Sequence, residues 1–281
     1  MTTPRSFVVF VDDEPRVLEA LQRALRPHRG EWEVAIATDA RGALSILRAR
    51  PVDVLVTDMR MPEVSGVDLL EQVRELQPGA ARFVLSGQTD FDAVMRSVAL
   101  AHRFLGKPCG PQTMLQMIVS ARDAVAWIDD ERIRAGLVAR TTLPSRPDAF
   151  KRLEDALAGN PSPVELSEII ADDVAMSIKV LQVVRAPFFG GTAASVTVAD
   201  AVRELGAKVI RALAENAFRA APWPCGLDPR TLQEGTLATR AGRLLHATVP
   251  ATDLLPPETL GATLLNLWGV GAGQNHVSEG S

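Results

Sequence analysis

The sequence contains few cysteines and no long apolar run. Its two cysteines, Cys109 and Cys225, lie far apart and follow no Cys-x-x-Cys spacing, which favours reduced thiols in a reducing compartment. No stretch of about 18 consecutive apolar residues is present, and residues 1–10 lack the basic start and long apolar stretch of a signal peptide. We therefore expect a cytoplasmic protein without a membrane partner.

The sequence also lacks an excess of positive charge. Its formal net charge is −4 and its pI is near 5.7, so it has no general electrostatic attraction to nucleic acid or anionic lipid. Of its 281 residues, 47% are hydrophobic and 23% are charged, with no low-complexity tract, which is typical of a folded chain. This length predicts two domains, each large enough to bury a core.

The first part of the chain alternates short apolar runs with longer amphipathic ones. The runs are rich in Val, Ile and Phe and predict five strands, at residues 6–11, 32–37, 52–56, 82–85 and 102–105. The segments between them place apolar residues at helical spacing. Five strands that are each followed by a helix require a parallel sheet covered on both faces. We therefore assign residues 1–127 to an α/β doubly wound (βα)5 domain.

The strand pattern ends after the first domain. The fifth helix has no stop signal before Gly136, so we expect it to continue into the charged stretch 129–134, and residues 128–143 are interpreted as a helical linker. Residues 144–270 show only helical spacing, including a predicted capping box at Ser162-x-x-Glu165, and are assigned to an all-α domain. The small and polar residues 271–281 predict a flexible tail.

Polar residues follow four of the five predicted strands. Asp12 and Asp13 come after the first strand, and Asp58, Ser86 and Lys107 come after the third, fourth and fifth. Ligands of open parallel sheets bind where the strands deliver their carboxyl ends, so these side chains are expected to meet. Clustered carboxylates repel one another unless a cation offsets them, and Mg²⁺ prefers carboxylate oxygens. Singly, each residue is more typical of a solvated loop, but together they predict a Mg²⁺ and phosphoryl site.

Residues 6–125 resemble a response regulator receiver domain over its whole length. The resemblance rests on four segments, Phe10-Val11-Asp12-Asp13-Glu14-Pro15, Thr57-Asp58-Met59-Arg60-Met61-Pro62 with Gly66 after it, Leu85-Ser86-Gly87, and Phe104-Leu105-Gly106-Lys107-Pro108. No position in this set departs from the family pattern. The resemblance implies a bacterial two-component response regulator whose phosphate donor is a sensor histidine kinase.

The resemblance also implies a role for each residue of the set. Asp58 would be the phospho-acceptor, and Asp12, Asp13, Asp58 and the backbone carbonyl of Arg60 would bind Mg²⁺. Ser86 would close onto the phosphoryl group, Lys107 would pair with it, and Phe104 would be the switch aromatic. Phosphorylation adds charge and acceptor oxygens, which would pull Ser86 inward and vacate space for Phe104. The face of the fourth helix, fifth strand and fifth helix would then change.

Residues 142–270 resemble the HDOD output domain, a helical relative of the His-Asp metal phosphohydrolases. The resemblance rests on residues 143–147, 166–173, 181–190 and 198–206. A metal phosphohydrolase needs an adjacent His-Asp among several ligands. No such pair occurs, and the four histidines, at positions 28, 102, 246 and 276, are scattered. We therefore expect a non-enzymatic output domain that binds a downstream signalling protein and that is compatible with a homodimer.

Two alternative functions remain open at this stage. One is a receiver-controlled metal-dependent phosphohydrolase acting on nucleotide phosphodiesters, and the other is a DNA-binding response regulator. Residues 164–184 mimic helix-turn-helix spacing, but the second helix offers Lys179 and otherwise mostly apolar side chains. This composition and the acidic charge balance favour core packing over groove reading, so no nucleic-acid partner is expected.

Overall fold

The computed structural model describes two packed regions of the chain. It covers residues 5–30, 32–87, 91–189, 197–249, 252 and 255–270, apart from the side chains of Ser86 and Pro187. The predicted tail, residues 271–281, lies outside the described residues. No helix of the described chain is both long and apolar enough to cross a membrane.

The first region contains one sheet of five parallel strands in the order β2-β1-β3-β4-β5. The strands are β1 (Ser6–Val11), β2 (Trp32–Ala37), β3 (Val54–Asp58), β4 (Ala81–Ser86) and β5 (Arg103–Gly106). The apolar side chains of β1, β3, β4 and β5 are almost wholly buried, as is required when helices cover both faces of a sheet, whereas Val34, Ala35 and Ile36 of the edge strand β2 are partly buried. The predicted doubly wound α/β fold is therefore confirmed.

Five helices cover this sheet. They are α1 (Pro15–Leu25), α2 (Ala40–Ala49), α3 (Gly66–Leu76), α4 (Phe91–Val98) and α5 (Pro111–Ala126). Short polar side chains start several of them, as at Asp39, which accepts a hydrogen bond from the Gly42 amide at 2.7 Å. The strand order reverses between β1 and β3, so the crevice at their carboxyl ends is where this fold binds ligands.

Only helices and turns occur in the described residues after α5. They are α6 (Glu131–Val138), α7 (Pro147–Ala158), α8 (Pro163–Asp172), α9 (Val174–Val184), α10 (Val198–Leu213), α11 (Leu237–His246) and α12 (Pro257–Leu267). Shorter turns lie at Pro187–Phe189 and Pro229–Leu232, and a π-helical turn at Ala214–Phe218 continues α10. The expected all-helical character of this region is confirmed.

The fifth helix is shorter than the sequence suggests. It ends at Ala126, and the expected continuation through residues 129–134 is wrong. Asp130 adopts an extended backbone, and its side chain accepts a hydrogen bond from the Arg132 amide at 2.8 Å. Because this carboxylate satisfies an otherwise free amide at a new helix start, α6 begins as a separate helix.

The helical region packs against one side of the sheet domain. Helix α12 contacts α5, the Pro187–Phe189 turn contacts β5, and both α10 and the π-helical turn contact α4. The ammonium of Lys208 on α10 lies 4.6 Å from the centre of the Phe91 ring on α4. The face formed by α4, β5 and α5 is therefore covered by helices from the second region.

Candidate functional site

Three carboxylates converge at the carboxyl edge of the sheet. Asp12 follows β1, Asp13 is the next residue, and Asp58 is the last residue of β3. One ligand oxygen from each lies within 4.8 Å of the others, and within the described ranges this is the one group of three or more His, Cys, Asp or Glu side chains so placed. Asp12 and Asp58 are buried, whereas Asp13 is exposed to solvent. The group thus forms a partly open acidic pocket.

Lys107 bridges two of these carboxylates from the end of β5. Its Nζ donates to Asp12 Oδ2 at 2.8 Å and lies 3.0 Å from Asp58 Oδ2. Backbone amides bind the remaining oxygens, since Met59 donates to Asp58 Oδ1 at 2.8 Å and Glu14 donates to Asp12 Oδ1 at 2.9 Å. Both buried carboxylates are therefore held in one orientation.

Burial and charge compete in this pocket. Burial raises the pKa of Asp58 above its ordinary value, aided by the negative charge of Asp12 and opposed by the hydrogen bond and charge of Lys107. Burial alone would lower the pKa of the Lys107 ammonium, but its hydrogen bonds to Asp12 and Asp58 raise it above the ordinary value. One fixed cation among three carboxylates leaves an excess of negative charge.

This donor set fits a hard divalent cation. Magnesium prefers carboxylate oxygens, backbone carbonyls and water, and a second cation would offset the charge that Lys107 leaves uncompensated. The described part of the pocket contains no thiol or imidazole ligand, so a softer metal such as Zn²⁺ is disfavoured. Asp12, Asp13 and Asp58 are the side chains that could hold Mg²⁺.

The turn after β3 depends on a close approach at Gly66. The Gly66 amide donates to the Met59 carbonyl at 3.0 Å, which draws the start of α3 against the end of β3. A Cβ at this position would lie 2.0 Å from the Asp58 carbonyl oxygen. Only glycine allows this approach, so the residue fixes the backbone that carries Asp58. Gly66 belongs to the sequence motif, but its steric role appears only in three dimensions.

The other predicted site residues lie around the same edge. Ser86 ends β4 beside Gly106 of β5, but its hydroxyl lies outside the described side chains. Phe104 pairs with Val84 in the sheet and is 8% exposed, so its ring is packed in the core. Arg60 lies in the loop two residues after β3, with its side chain in solvent. The roles given to these three residues stay predictions.

The second region contains no comparable pocket among its described residues. The ring of His246 contacts the Leu255 carbonyl at 3.0 Å, and buried His102, of the sheet domain, contacts the Val138 carbonyl at 2.7 Å. His276 lies outside the described residues. Helix α9, the second helix of the apparent helix-turn-helix, is buried at every residue and has no face that could enter a DNA groove.

Comparison with protein families agrees with both resemblances found in the sequence. Residues 8–119 match the model of the response regulator receiver domain, and residues 143–219 match the model of the HDOD domain. The three clustered carboxylates and Lys107 all lie within the first match. The buried helix α9 lies within the second.

Individual relatives match about half of the chain. The hydrogenase transcriptional regulatory protein HoxA of Cupriavidus necator is 34% identical over 146 residues, which is 51% of this chain and 30% of that protein. The transcriptional regulatory protein GlrR of Escherichia coli is 30% identical over 147 residues, 52% of this chain and 33% of that protein. The chain thus spans about a third of the length of these two relatives.

Solved structures of receiver domains also match the chain. A response regulator receiver domain protein from Clostridium thermocellum is 29% identical, with a TM-score of 0.39, and the match covers 42% of this chain and 94% of that chain. The signal receiver domain of an HD domain-containing protein from Pseudomonas fluorescens is 27% identical, with a TM-score of 0.41, covering 44% of this chain and 90% of that chain.

Proposed function

Residues 8–119 belong to the response regulator receiver domain family and residues 143–219 to the HDOD domain family, and from this pairing we propose a phosphorylation-controlled adaptor. In this proposal a sensor histidine kinase phosphorylates Asp58 in the presence of Mg²⁺. The HDOD domain then conveys the change to a downstream protein without catalysis of its own. A role as a response regulator of two-component signalling is part of this proposal, and the two family matches support it.

The observation that carries the proposal is the environment of Asp58. Its carboxylate is buried, is oriented by the Met59 amide and Lys107, and faces the Asp12–Asp13 pair. A nucleophile fixed in this way loses little freedom when a phosphoryl donor arrives, which is the main requirement of phosphoryl transfer. The exposed side chain of Asp13 marks the open side of the pocket, through which a donor can approach.

The chemistry assigned to the chain is one phosphoryl transfer. An Asp58 carboxylate oxygen forms a bond to phosphorus, the bond from phosphorus to the kinase histidine nitrogen breaks, and the histidine leaves with the electron pair. Lys107 holds a positive charge beside the transferred group, where negative charge remains on the phosphoryl oxygens. When bound by Asp12, Asp13 and Asp58, Mg²⁺ supplies the second positive charge of the pocket.

The response is proposed to pass through Ser86 and Phe104. In this proposal the Ser86 hydroxyl would close onto the phosphoryl group, and Phe104 lies on the neighbouring strand β5. Phe104 is buried in the present structure, so a change of its rotamer requires space that the movement of Ser86 would provide. The affected face is that of α4, β5 and α5, which the HDOD domain covers.

A non-catalytic output fits the chemistry of the second region better than the two alternatives. Phosphodiester hydrolysis needs clustered metal ligands, and the described HDOD residues hold no such cluster. DNA recognition needs an exposed helix, and α9 is buried throughout. Protein binding, with or without a homodimer, requires neither feature.

The proposal is tested by phosphoryl uptake. The intact chain is incubated with Mg²⁺ and acetyl phosphate, and its mass is measured beside the Asp58→Asn variant. We expect a single added phosphoryl group in the wild type and none in the variant. Asp39→Asn is the matched control, because Asp39 caps α2 from an exposed position and asparagine caps equally well. Uptake by Asp58→Asn, or none by the wild type, would contradict the assignment.

A further inference from the structure

Arg103 of the receiver domain binds the end of a helix in the second, helical region of the chain, beyond the residues that match the HDOD model. Its Nε donates to the Leu267 carbonyl at 2.9 Å and its Nη2 to the Asn266 carbonyl at 2.5 Å, the last two residues of α12. The same guanidinium donates to Met117 and Ser120 of α5. Only 2% of Arg103 is exposed. The Asn266 carbonyl also accepts from the Gly269 amide at 3.1 Å. A cation at a helix C-terminus offsets the partial negative charge of the terminal carbonyls, so Arg103 caps α12 from the other domain.

Lys179 makes the same kind of contact in the opposite direction. It lies on α9 of the HDOD domain, and its Nζ donates at 3.2 Å to the carbonyl of Val98, the last residue of α4 in the receiver domain. Further bonds run to the Thr141 carbonyl at 2.5 Å and to Gln182 Oε1 at 2.6 Å. Only 2% of Lys179 is exposed. Each domain thus caps a helix of the other with a buried cation.

The surroundings of the two cations extend this junction. Gln182, one turn beyond Lys179, donates its Nε2 to the His102 carbonyl at 2.8 Å, next to Arg103 on the chain. The Trp268 ring lies 4.7 Å from Lys179 Nζ, and its indole nitrogen donates to the Arg140 carbonyl at 2.9 Å. We define Arg103 and Lys179 as the interdomain latch.

The contacts of the interdomain latch favour two states of the domain junction and disfavour intermediate positions. In the described residues every hydrogen bond from either cation runs to a neutral oxygen, so the bonds compensate burial only while the domains are aligned. A small displacement would leave a buried charge unpaired, which is costly, and a larger one would admit water. The junction should therefore be either closed and dry or open and hydrated.

We propose that the interdomain latch holds the HDOD domain closed on the α4–β5–α5 face and that phosphorylation of Asp58 opens it. The proposal rests on the proposed function and adds the residues through which the two domains are coupled. Arg103 immediately precedes Phe104 on β5, and Val98 ends the helix that follows β4. A change at Ser86 and Phe104 therefore displaces the backbone that positions both caps. Opening would free the HDOD surface now covered by α4, β5 and α5.

The test uses the intact chain and two methionine variants, Arg103→Met and Lys179→Met. Methionine keeps much of the side-chain volume and removes the charge, so no unpaired cation is buried. Arg82→Met is the matched control. Arg82 is also fully buried and also bonds only to neutral oxygens, the carbonyls of Leu100, Pro78 and Ala80, but all of these lie within the receiver domain.

The readouts are backbone hydrogen exchange of residues 257–270 and the radius of gyration in solution, each with and without Mg²⁺ and beryllofluoride. Without phosphate analogue we expect both latch variants to exchange in α12 about ten- to a hundredfold faster than the wild type, as loss of a buried charged hydrogen bond implies, and to be more expanded. The wild type and Arg82→Met should reach that state only with the analogue.

Two results would overturn the proposal. In the first, Arg103→Met and Lys179→Met both show the same α12 exchange rate and radius of gyration as the wild type. In the second, Arg82→Met shows the faster exchange and the expansion without the phosphate analogue. Phosphoryl uptake at Asp58, measured separately by mass, distinguishes failure of the latch proposal from failure of the proposed function. Uptake without a change in α12 overturns the latch and leaves the proposed function intact. Absence of uptake overturns the proposed function and, with it, phosphorylation as the signal that opens the latch.

Discussion

At the scale of single residues, Gly66 stands out because its position beside Asp58 has no room for a side chain. An added Cβ would lie 2.0 Å from the Asp58 carbonyl oxygen and 2.9 Å from its carbon, distances at which the backbone must move. The atoms in the way belong to the main chain of the proposed phospho-acceptor. The steric limit at Gly66 is therefore also a limit on where Asp58 can lie.

We expect Gly66→Ala to lower both stability and phosphoryl uptake. Displacing the β3–α3 turn should reduce the free energy of unfolding by about 1–3 kcal/mol, as overpacking of a filled site does, and should misplace Asp58 relative to Lys107. Urea unfolding and uptake from acetyl phosphate measure the two effects. Gly30→Ala serves as the control, since a Cβ there meets nothing within 4 Å. Equal behaviour of the two variants would refute the steric argument.

The residues of the acidic pocket and those of the latch differ in how far the sequence predicts them. Asp12, Asp58 and Lys107 end separate strands, and the topology of a parallel sheet brings strand ends together, so their meeting follows from pattern alone. Lys179 stands out in the sequence only as a single charge within an apolar helix. Its partner Val98 is 81 residues away in another domain, and no periodicity predicts that contact.

At the scale of elements, helix starts follow the local sequence more closely than helix ends do. Ser162 caps α8 as predicted, with its hydroxyl accepting from the Glu165 amide at 3.1 Å. Helix α9 likewise begins at Val174, directly after Asp173, whose carboxylate accepts from the Met176 amide. The end of α5, in contrast, differs from the prediction. Asp130 starts a second helix where helical propensity alone would continue the first.

Helix α9 should depend strongly on its buried cap. Asp173, 1% exposed, accepts from the Met176 amide at 2.8 Å and from the Arg146 amide at 2.7 Å. Asp173→Ala removes the cap and leaves two buried amides, those of Met176 and Arg146, without this partner, so we expect a loss of about 2–4 kcal/mol in the free energy of unfolding. Ser162→Ala, at an exposed cap, should cost only about 1 kcal/mol. Denaturant unfolding of both variants checks the difference, and equal losses would contradict it.

At the scale of the whole molecule, the domain junction should make stability depend on pH. Burial lowers the pKa of Lys179 to about 7, from an ordinary value of 10.5. Between these values the unfolded chain binds a proton that the folded chain does not, so Lys179 is the buried cation of the interdomain latch only below about pH 7. The free energy of unfolding should therefore rise with pH across this window, by at most about 1.4 kcal/mol per pH unit.

The charged groups near Lys179 titrate mostly outside the pH range between about 7 and 10.5. Burial, aided by the charges of Arg82 and Lys179, lowers the pKa of His102 well below 6.5, so its contribution ends below neutral pH. Burial lowers the pKa values of Arg82 and Arg103 to about 10. Their contribution to the pH dependence of stability therefore begins near pH 10, where the contribution of Lys179 is ending. Lys179→Met should flatten the profile between pH 7 and 10 in denaturant titrations, whereas Arg82→Met should not. An unchanged slope in Lys179→Met would exclude Lys179 as the titrating group.

The reciprocal caps also bear on how freely the two domains can be recombined in engineered hybrids. A foreign receiver without an arginine at the position of Arg103 would remove the donor to the Leu267 carbonyl, whereas the Asn266 carbonyl would keep its bond from the Gly269 amide. A foreign output module without a lysine at the position of Lys179 would likewise leave the end of α4 uncapped. Chimeric regulators built from this chain therefore need both sides of the junction transplanted together, with the domain boundary chosen by these contacts and not by the linker.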